Sequence, residues 1–280
     1  MNIISWNIQA TMGCDNRFDA ARIVDQIKSF GELDAICLQE VSRHITDLNA
    51  DDQLALIGNE FPGYEHVWAP GFSVPNDQGK RGEFGNLTLV KAELLVYSHV
   101  HSLPSPAVNT LQIPRTMAEV IIKGGDKLVA LFNTHLAFHS SEELTDQIQE
   151  LTRLRDQLVL KFATPNTEAT AGPYSYTRSS DAVILCGDLN IDAEDRLFKD
   201  HISDRNWIDC WSVQSRFDGK IPSERQPTCG CFDRAQWPQG PHVRDFFLAT
   251  ENIASKTIRV EVDVETDASD HQPVLLESAL

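Results

Sequence analysis

The segment that most restricts the fold of this chain is a short apolar run, residues 181–185, that leads into Cys186-Gly187-Asp188-Leu189-Asn190. An apolar run of this length predicts a buried strand. Asp188 and Asn190 then lie just past the end of a core strand, where α/β proteins bind ligands, and their spacing lets both side chains point the same way. Asp and Asn are also common turn residues, so this segment alone leaves a ligand site and a plain turn as equal alternatives.

The charge of the chain argues against a protein that coats or slides along nucleic acid. The sequence has 24 basic and 41 acidic residues, a formal net charge of −17 at pH 7. Non-specific binding to nucleic acid uses Lys and Arg to displace counterions, and the sequence contains no basic run or basic helical stripe. An enzyme with a local phosphate site remains compatible with this composition, because a bound cation supplies positive charge itself.

The termini and the cysteines indicate a cytoplasmic protein. The N-terminus has no basic start and no signal-type apolar segment, and no apolar stretch approaches membrane-spanning length. The six cysteines fit a reduced intracellular protein. Cys229-Gly230-Cys231 lacks the usual zinc-ligand spacing and a second pair, so a structural zinc site is the less favoured alternative. We expect no membrane anchor, no obligate protein partner and a monomer.

Strand-like and helix-like segments alternate, which is typical of an α/β protein. Predicted helices begin near Asp15 or Asn16, span about 47–57, and follow a capping box at Ser140–Glu143. The turn at 124–126 predicts a hairpin from 116 to 133. We expect one domain over residues 1–280, with two strand-rich halves and helices outside. The predicted strands cover residues 2–5, 33–38, 64–69, 86–90, 94–100, 116–122, 128–133, 182–186, 245–249, 257–264 and 273–276.

Five further groups of polar residues lie at or beside predicted strand ends. They are Asn7, Glu40, His135, Asp245 and the pair Asp270-His271. Each has an ordinary explanation as a turn residue, a helix cap, a surface ion pair or a hydrogen-bonded histidine. Together they match the set of groups that hydrolysis of a phosphoester needs.

The carboxylates of this set suit a metal ion and a water nucleophile. Glu40 and Asp270 offer the oxygen ligands that Mg²⁺ prefers, with Mn²⁺ as an alternative. Asp188 is expected to orient or deprotonate the attacking water.

The amides and histidines of the set suit the charge on the phosphoryl oxygens. Asn7, Asn190 and a histidine are expected to stabilise that charge. A histidine works best there when protonated, which a carboxylate partner favours, and Asp245 is a candidate partner for His271.

At this point the chain resembles the endonuclease/exonuclease/phosphatase superfamily. The resemblance spans almost the whole chain, with the matching segments in the family's order. Any single segment is weak evidence, whereas six in order are specific. The segments are Ser5-Trp6-Asn7, Leu38-Gln39-Glu40, Asn133-Thr134-His135-Leu136, Gly187-Asp188-Leu189-Asn190, Arg244-Asp245-Phe246-Phe247 and Ser269-Asp270-His271-Gln272-Pro273-Val274.

The resemblance implies a four-layer α/β/β/α sandwich, with two packed mixed sheets flanked by helices and the site at one mouth of the sheets. It implies Glu40 as the principal metal ligand, with Asp270 and Asn7 close to the metal. It also implies that Asp188 activates water, Asn190 positions it, Asp245 orients His271 on the phosphate, and His135 acts as a second histidine on the phosphate side.

The chain departs from the family pattern in two places. The family's Gly-Asn-Ala-Ile-Leu-Ser-Arg segment is replaced by residues 85–91, which makes Asn86 a weaker substrate-binding candidate. Arg81 and Glu83 lie just before it and are further candidates. Phe246-Phe247 follow Asp245, where the family usually has Tyr-Ile or His-Ile, and this apolar change should leave the carboxylate undisturbed.

Three irregular segments, 77–83, 164–180 and 212–241, are expected to carry substrate specificity. The segment 164–180 is too long for a tight connection and contains Tyr174, Tyr176 and Arg178. These side chains are substrate-binding candidates, although a plain surface loop is the favoured explanation.

Three functions follow from the sequence. The first is a Mg²⁺-dependent phosphodiesterase, endonuclease or exonuclease, whose partner is a phosphoester substrate such as nucleic acid. The second is the same chemistry on a phosphomonoester or a lipid head group, to which the acidic composition lends weight. The third is a non-catalytic binding module, which the complete set of candidate residues argues against.

Overall fold

A computed structural model describes residues 1–106, 112–165, 172, 178–214 and 224–280, and in these ranges twelve strands form two sheets. The strands are β1 (Asn2–Asn7), β2 (Ala35–Arg43), β3 (Tyr64–Pro75), β4 (Arg81–Lys91), β5 (Leu95–Ser102), β6 (Thr116–Gly124), β7 (Lys127–His135), β8 (Ala182–Asp188), β9 (Ile208–Asp209), β10 (Asp245–Ala249), β11 (Thr257–Val262) and β12 (Val274–Ser278). The first sheet has the order β11-β12-β1-β2-β4-β3 and the second β5-β6-β7-β8-β10-β9.

Both sheets are mixed, with one parallel pair at the centre of each. β1 and β2 are parallel, as are β7 and β8, and the other pairs are antiparallel. In the second sheet, Asp188 is registered between His135 of β7 and Asp245 of β10. Because parallel strands end at the same edge of a sheet, the polar residues that follow them collect at one edge.

Helices pack against both sheets. They are α1 (Ala20–Ser29), α2 (Gln53–Gly58), α3 (Ser141–Ala163), α4 (Arg196–His201), α5 (Cys210–Val213) and α6 (Glu251–Ala254). The predicted helix over 47–57 is shorter than expected. Asn49 and Ala50 have left-handed φ values of 67° and 57°, which separate a short 3₁₀ turn at Thr46–Leu48 from α2. In the described ranges no helix has an apolar stretch of membrane-spanning length.

Three apolar clusters show the layering. The central cluster joins both sheets through residues such as Ile3 and Leu131. A second cluster packs Leu151 of α3 on the outer face of the second sheet, and a third packs Ile23 and Ile27 of α1 on the outer face of the first. The order helix, sheet, sheet, helix confirms the predicted α/β sandwich.

The junction between β2 and α2 is stabilised by one carboxylate. Asp52 accepts the Ala55 N–H at the start of α2, at 3.1 Å, and two hydrogen bonds from the Arg43 guanidinium, at 2.9 and 2.8 Å. The hydrogen bonds from Arg43 lower the pKa of Asp52 below its usual 3.8, against the effect of burial. Asp52 therefore stabilises the fold above pH 3.8, and this contribution is lost as the pH falls through its folded-state pKa.

Asp52→Asn is expected to lower the free energy of unfolding by about 1–3 kcal/mol at pH 7, because the charge-assisted bonds to Arg43 are weakened. Urea unfolding at pH 7 and near pH 3 measures the effect, which should shrink at the lower pH. Asp200→Asn is the matched control, because its bond to Arg196 is an exposed i,i+4 pair worth about 0.3–0.5 kcal/mol. Equal effects of the two variants at pH 7 would contradict the assignment.

Candidate functional site

The polar residues predicted at the strand ends meet in one cleft between the two sheets. Those from the first sheet are Asn7, Glu40, Asp270 and His271, and those from the second are His135, Asp188, Asn190 and Asp245. Six of them line a cavity of about 350 Å³, namely Glu40, His135, Asp188, Asn190, Asp270 and His271. The other two, Asn7 and Asp245, are hydrogen-bonded to Glu40 and His271 of this lining. The side chain of Glu40 exposes 27 % of its surface there, while those of Asp188 and His271 are almost fully buried.

One oxygen of Asp188 is the centre of this cluster. Its Oδ2 accepts a hydrogen bond from Asn7 Nδ2 at 3.1 Å and lies 3.3 Å from His135 Nε2 and 3.6 Å from His271 Nε2. Its Oδ1 accepts the Asn190 N–H at 2.9 Å. Burial raises the pKa of Asp188, but the histidines and these donors outweigh it and hold the pKa below its usual value. The carboxylate is therefore an ionised acceptor that can orient a water molecule.

Gly187 lets β7 and β8 approach closely just before Asp188. Its φ is +134°, and a Cβ atom there would lie 1.8 Å from the carbonyl oxygen of Thr134. A side chain at this position would push the two strands apart, and with them His135 and Asp188, which are paired in the parallel register. The glycine in the Gly-Asp sequence is thus required by strand packing.

A bulge in β2 directs Glu40 into the cleft. The register of β2 against β4 shifts between Leu38 and Val41, and Glu40 has a φ of 57°. Its Oε1 accepts a hydrogen bond from Asn7 Nδ2 at 3.1 Å. Burial, followed by the negative charge of Asp270, raises the pKa of Glu40 to about 7. Two mutually repelling carboxylates beside an amide form a donor set that suits a divalent cation with oxygen ligands.

The two histidines of the cleft are held in opposite protonation states. Burial lowers the pKa of His271, but the charges of Asp245, Asp188 and Asp270 outweigh it and raise the pKa well above its usual value. Burial and the charge of Arg115 lower the pKa of His135 to about 3. His271 is therefore an imidazolium near neutral pH and His135 is a neutral imidazole.

Hydrogen bonds fix the orientation of both rings. His271 Nδ1 donates to Asp245 Oδ2 at 2.8 Å, and the same oxygen accepts from Thr228 Oγ1 at 2.7 Å. Asn190 Nδ2 lies 2.9 Å from His135 Nε2, so the neutral ring carries its proton on Nδ1. Asp188, Asp245 and His271 have potential ligand atoms within 4.8 Å of one another, and the direct His271–Asp245 bond accounts for that proximity.

Arg115 is a site residue that the sequence reasoning missed. It is 5 % exposed, and its guanidinium has no hydrogen bond or ion pair with any residue in the described ranges. It lines a narrow recess with Glu40, Asn86 and His135. Burial lowers the pKa of Arg115, and the charges of Glu40, Asp188 and Glu143 oppose this effect.

The predicted hairpin contained the signal for Arg115. β6 is antiparallel to β7, with Met117 opposite Thr134. Extending this register places Thr116 opposite His135, which ends β7, so Arg115 lies one residue beyond it, at the same edge of the sheet. Arg115 precedes its strand, so a prediction based on residues that follow strands omits it.

The three substrate-binding candidates fall in different places. Asn86 is buried beside Glu40, and its Nδ2 donates to Thr116 O at 2.9 Å. Arg81 is exposed at the start of β4 and binds Ser73 across the β3–β4 hairpin. Arg178 donates to Glu119 at 2.5 Å, on the face of β6 that carries Met117 and Ile121 into the cluster under α3.

Only Asn86 of these three thus reaches the cleft. Arg81 and Arg178 do not line it, and their guanidinium groups donate to Ser73 and Glu119 respectively. Tyr174 and Tyr176 lie outside the described residues.

Comparisons with known proteins agree with this architecture. Residues 4–271 match the model of the Endonuclease/Exonuclease/phosphatase family. A comparison with curated protein sequences finds no match.

Three solved structures illustrate the similarity. An endonuclease/exonuclease/phosphatase from Beutenbergia cavernae has a TM-score of 0.70 and 20 % identity, with 99 % of this chain and 70 % of that chain covered. A mannosyl-6-phosphatase from Bacteroides thetaiotaomicron has a TM-score of 0.68 and 17 % identity over 100 % of both chains. TDP2 from D. rerio, complexed with a single-strand DNA product, has a TM-score of 0.65 and 16 % identity, with 99 % and 97 % covered. At these identities the similarity establishes the fold.

Proposed function

Because this chain belongs to the endonuclease/exonuclease/phosphatase family, we propose that it is a Mg²⁺-dependent hydrolase that cleaves phosphoesters by in-line attack of a water oriented by Asp188. The observation that carries this proposal is the set of groups that hold Asp188: Oδ2 accepts from Asn7 Nδ2 and faces His271 Nε2, and Oδ1 accepts the Asn190 N–H. An ionised carboxylate held by groups from both sheets is well placed to align a nucleophile.

Glu40 and Asp270 would hold the cation, with the Asn7 amide beside them. Burial and the charge of Asp270 raise the pKa of Glu40, and a positive charge between the two carboxylates would relieve their repulsion. A bound Mg²⁺ or Mn²⁺ supplies Lewis-acid stabilisation of the phosphoryl oxygens and lowers the pKa of bound water.

Two cationic side chains complement the developing negative charge on the phosphoryl group. His271 is kept protonated and oriented by Asp245, and its Nε2 faces Asp188. Arg115 is a buried guanidinium without a partner in the described ranges, so its donors are available to a phosphate oxygen. Asn190, whose Nδ2 contacts His135 Nε2 and Leu136 O, holds the loop after Asp188 in place.

Among phosphoesters, a phosphodiester such as that of nucleic acid is the first candidate. A compact phosphomonoester is a second candidate, and the distribution of charge favours it. Eleven of the 22 basic residues in the described ranges lie within 4.0 Å of a carboxylate, which neutralises part of the positive charge that a polyanion would contact. Those within 4.0 Å of a carboxylate are Arg17, Arg22, Lys28, Arg43, Lys91, Arg153, Arg155, Arg178, Arg196, Arg225 and Arg259.

A substrate panel with and without chelator tests the proposal. The purified chain is assayed on bis(p-nitrophenyl) phosphate, a single-stranded oligonucleotide, p-nitrophenyl phosphate and a hexose phosphate, with Mg²⁺, Mn²⁺ or EDTA. Hydrolysis that stops with EDTA and returns with Mg²⁺ is the expected result. Preference for the oligonucleotide supports the first candidate and preference for the hexose phosphate the second. Turnover that is indifferent to EDTA would refute the mechanism, and a folded, Mg²⁺-binding protein with no turnover on any substrate would indicate the binding module.

A further inference from the structure

Two side chains of the segment before β10 donate to the same oxygen of Asp270. Gln236 Nε2 lies 2.8 Å and Trp237 Nε1 lies 3.0 Å from Asp270 Oδ2. Both residues lie in a turn that is stabilised by Asp233. The Asp233 side chain accepts a hydrogen bond from the Gln236 N–H at 3.0 Å, and its carbonyl oxygen accepts one from the Trp237 N–H at 3.2 Å. The turn therefore delivers two neutral donors to one buried carboxylate.

We propose that Gln236 and Trp237 are positioning residues that hold Asp270 Oδ2, so that the other oxygen of Asp270 serves the cation. This inference rests on the proposed function, in which Asp270 is a metal ligand. Oδ1 of Asp270 has only a long contact of 3.4 Å, from Ser269 Oγ, in the described ranges. One oxygen is thus saturated by donors and the other is left available.

The chemical type of the two donors argues for this role. Asp270 is 3 % exposed, and a buried carboxylate requires hydrogen-bond partners. A lysine or arginine would satisfy it, but would also cancel the negative charge that attracts a cation. An amide and an indole N–H satisfy the oxygen and leave the charge in place, and in the described ranges no lysine or arginine forms an ion pair with Asp270.

The indole of Trp237 is held in its orientation from several sides. Its ring packs edge-on against His271, with centroids 5.7 Å apart, and against His242 at 4.8 Å. The guanidinium carbon of Arg244 lies 5.6 Å from the ring centroid, and Arg244 donates to His242 Nε2 and to Asn190 O, each at 3.0 Å. These contacts join the donor to the loop that follows Asp188.

Gln236 is anchored in a similar way from the first sheet. Its Oε1 accepts a hydrogen bond from Gln9 Nε2 at 3.1 Å, just after β1. Gln236 therefore spans from the end of β1 to Asp270. Residues that orient a metal ligand through its second oxygen typically contribute 10–100-fold to metal affinity.

The chain offers a close control for Trp237. Trp68 Nε1 donates to Glu83 Oε2 at 3.1 Å, in the β3–β4 hairpin and outside the cavity lining. Trp237→Phe and Trp68→Phe both remove one indole N–H from a carboxylate and both keep an aromatic ring. Only the first removes a donor from Asp270.

The experiment measures Mg²⁺ binding by isothermal titration calorimetry, with Mg²⁺ as the only ligand. The proteins compared are the wild-type chain, Trp237→Phe, Gln236→Leu and Trp68→Phe, and circular dichroism checks that each is folded. We expect the Kd for Mg²⁺ to rise about 10-fold in Trp237→Phe and in Gln236→Leu, and to stay within twofold of wild type in Trp68→Phe. Tryptophan fluorescence gives a second readout, because Mg²⁺ should change the emission of the wild type and of Trp68→Phe but not of Trp237→Phe.

Failure of the positioning role and failure of the proposed function would give different results. Mg²⁺ binding by the wild type with unchanged Kd in Trp237→Phe and Gln236→Leu would overturn the positioning role and leave the proposed function standing. A wild-type chain that binds no Mg²⁺ would overturn the proposed function and the inference with it. If Trp237→Phe does not fold, Gln236→Leu decides, since it leaves the aromatic packing intact.

Discussion

Replacing Asp188 by Asn is expected to lower kcat for any phosphoester that the wild-type chain hydrolyses by about 10²–10⁴-fold, the usual contribution of a general acid–base group. The amide keeps the size of the side chain but offers one acceptor oxygen in place of two. It also removes the charge that helps to keep His271 protonated. Steady-state kinetics with Mg²⁺ on bis(p-nitrophenyl) phosphate and p-nitrophenyl phosphate measure the loss.

Asp192→Asn is the matched control for this variant. Asp192 lies in the same loop after β8, where its Oδ1 accepts the Glu194 N–H at 2.9 Å, outside the cavity lining. The kcat of Asp192→Asn should stay within twofold of the wild-type value. Full activity of Asp188→Asn with unchanged Mg²⁺ binding would show that another group aligns the water.

Replacing Arg115 by Met is expected to lower kcat/KM by about 10²–10³-fold, the cost of removing one preorganised donor from a developing oxyanion. Methionine fills a similar volume without charge, so the fold should tolerate the change. The guanidinium is a buried cation that lines the recess beside Glu40 and has no carboxylate partner in the described ranges.

The same variant has a readout that does not depend on turnover. Burial and the charge of Arg115 lower the pKa of His135 to about 3. Removing the charge should raise this pKa towards its usual value, which a proton NMR titration of the histidine ring follows. Arg196→Met, at a side chain that is 89 % exposed, is the control and should change neither kinetics nor titration. Unchanged kinetics together with an unchanged His135 titration in Arg115→Met would remove Arg115 from the site.

The layered fold could be predicted from the sequence because the signals for its strands and helices are local. The apolar runs at 181–185 and 33–38 are buried strands in the structure, and the capping box at Ser140 begins α3. The predicted ends of these strands indicated Asp188 and Glu40, although β2 continues past Glu40 to Arg43. Parallel pairing within each sheet, together with the packing of the two sheets on each other, then brings such residues together.

Other parts depend on contacts that a single sequence does not encode locally. Asn49 and Ala50 interrupt the predicted helix because the chain reverses there before Asp52 caps α2. Arg178 is 59 residues from Glu119 in the sequence, so only tertiary structure could show that the two side chains pair. Arg115 precedes its strand, and a rule based on residues that follow strands overlooks it.

The division of the cleft between two sheets has a mechanical consequence. Asn7 ends β1 of the first sheet and His271 lies just before β12 of the same sheet, yet they form hydrogen bonds with Asp188 and Asp245 of the second. The central apolar layer, which contains Cys37 and Cys186, therefore fixes the distance between the two sheets and with it the length of these hydrogen bonds. A substitution deep in that layer, far from any substrate, would alter activity by changing the gap between the two halves of the cleft, while the surface loops stay free to diverge.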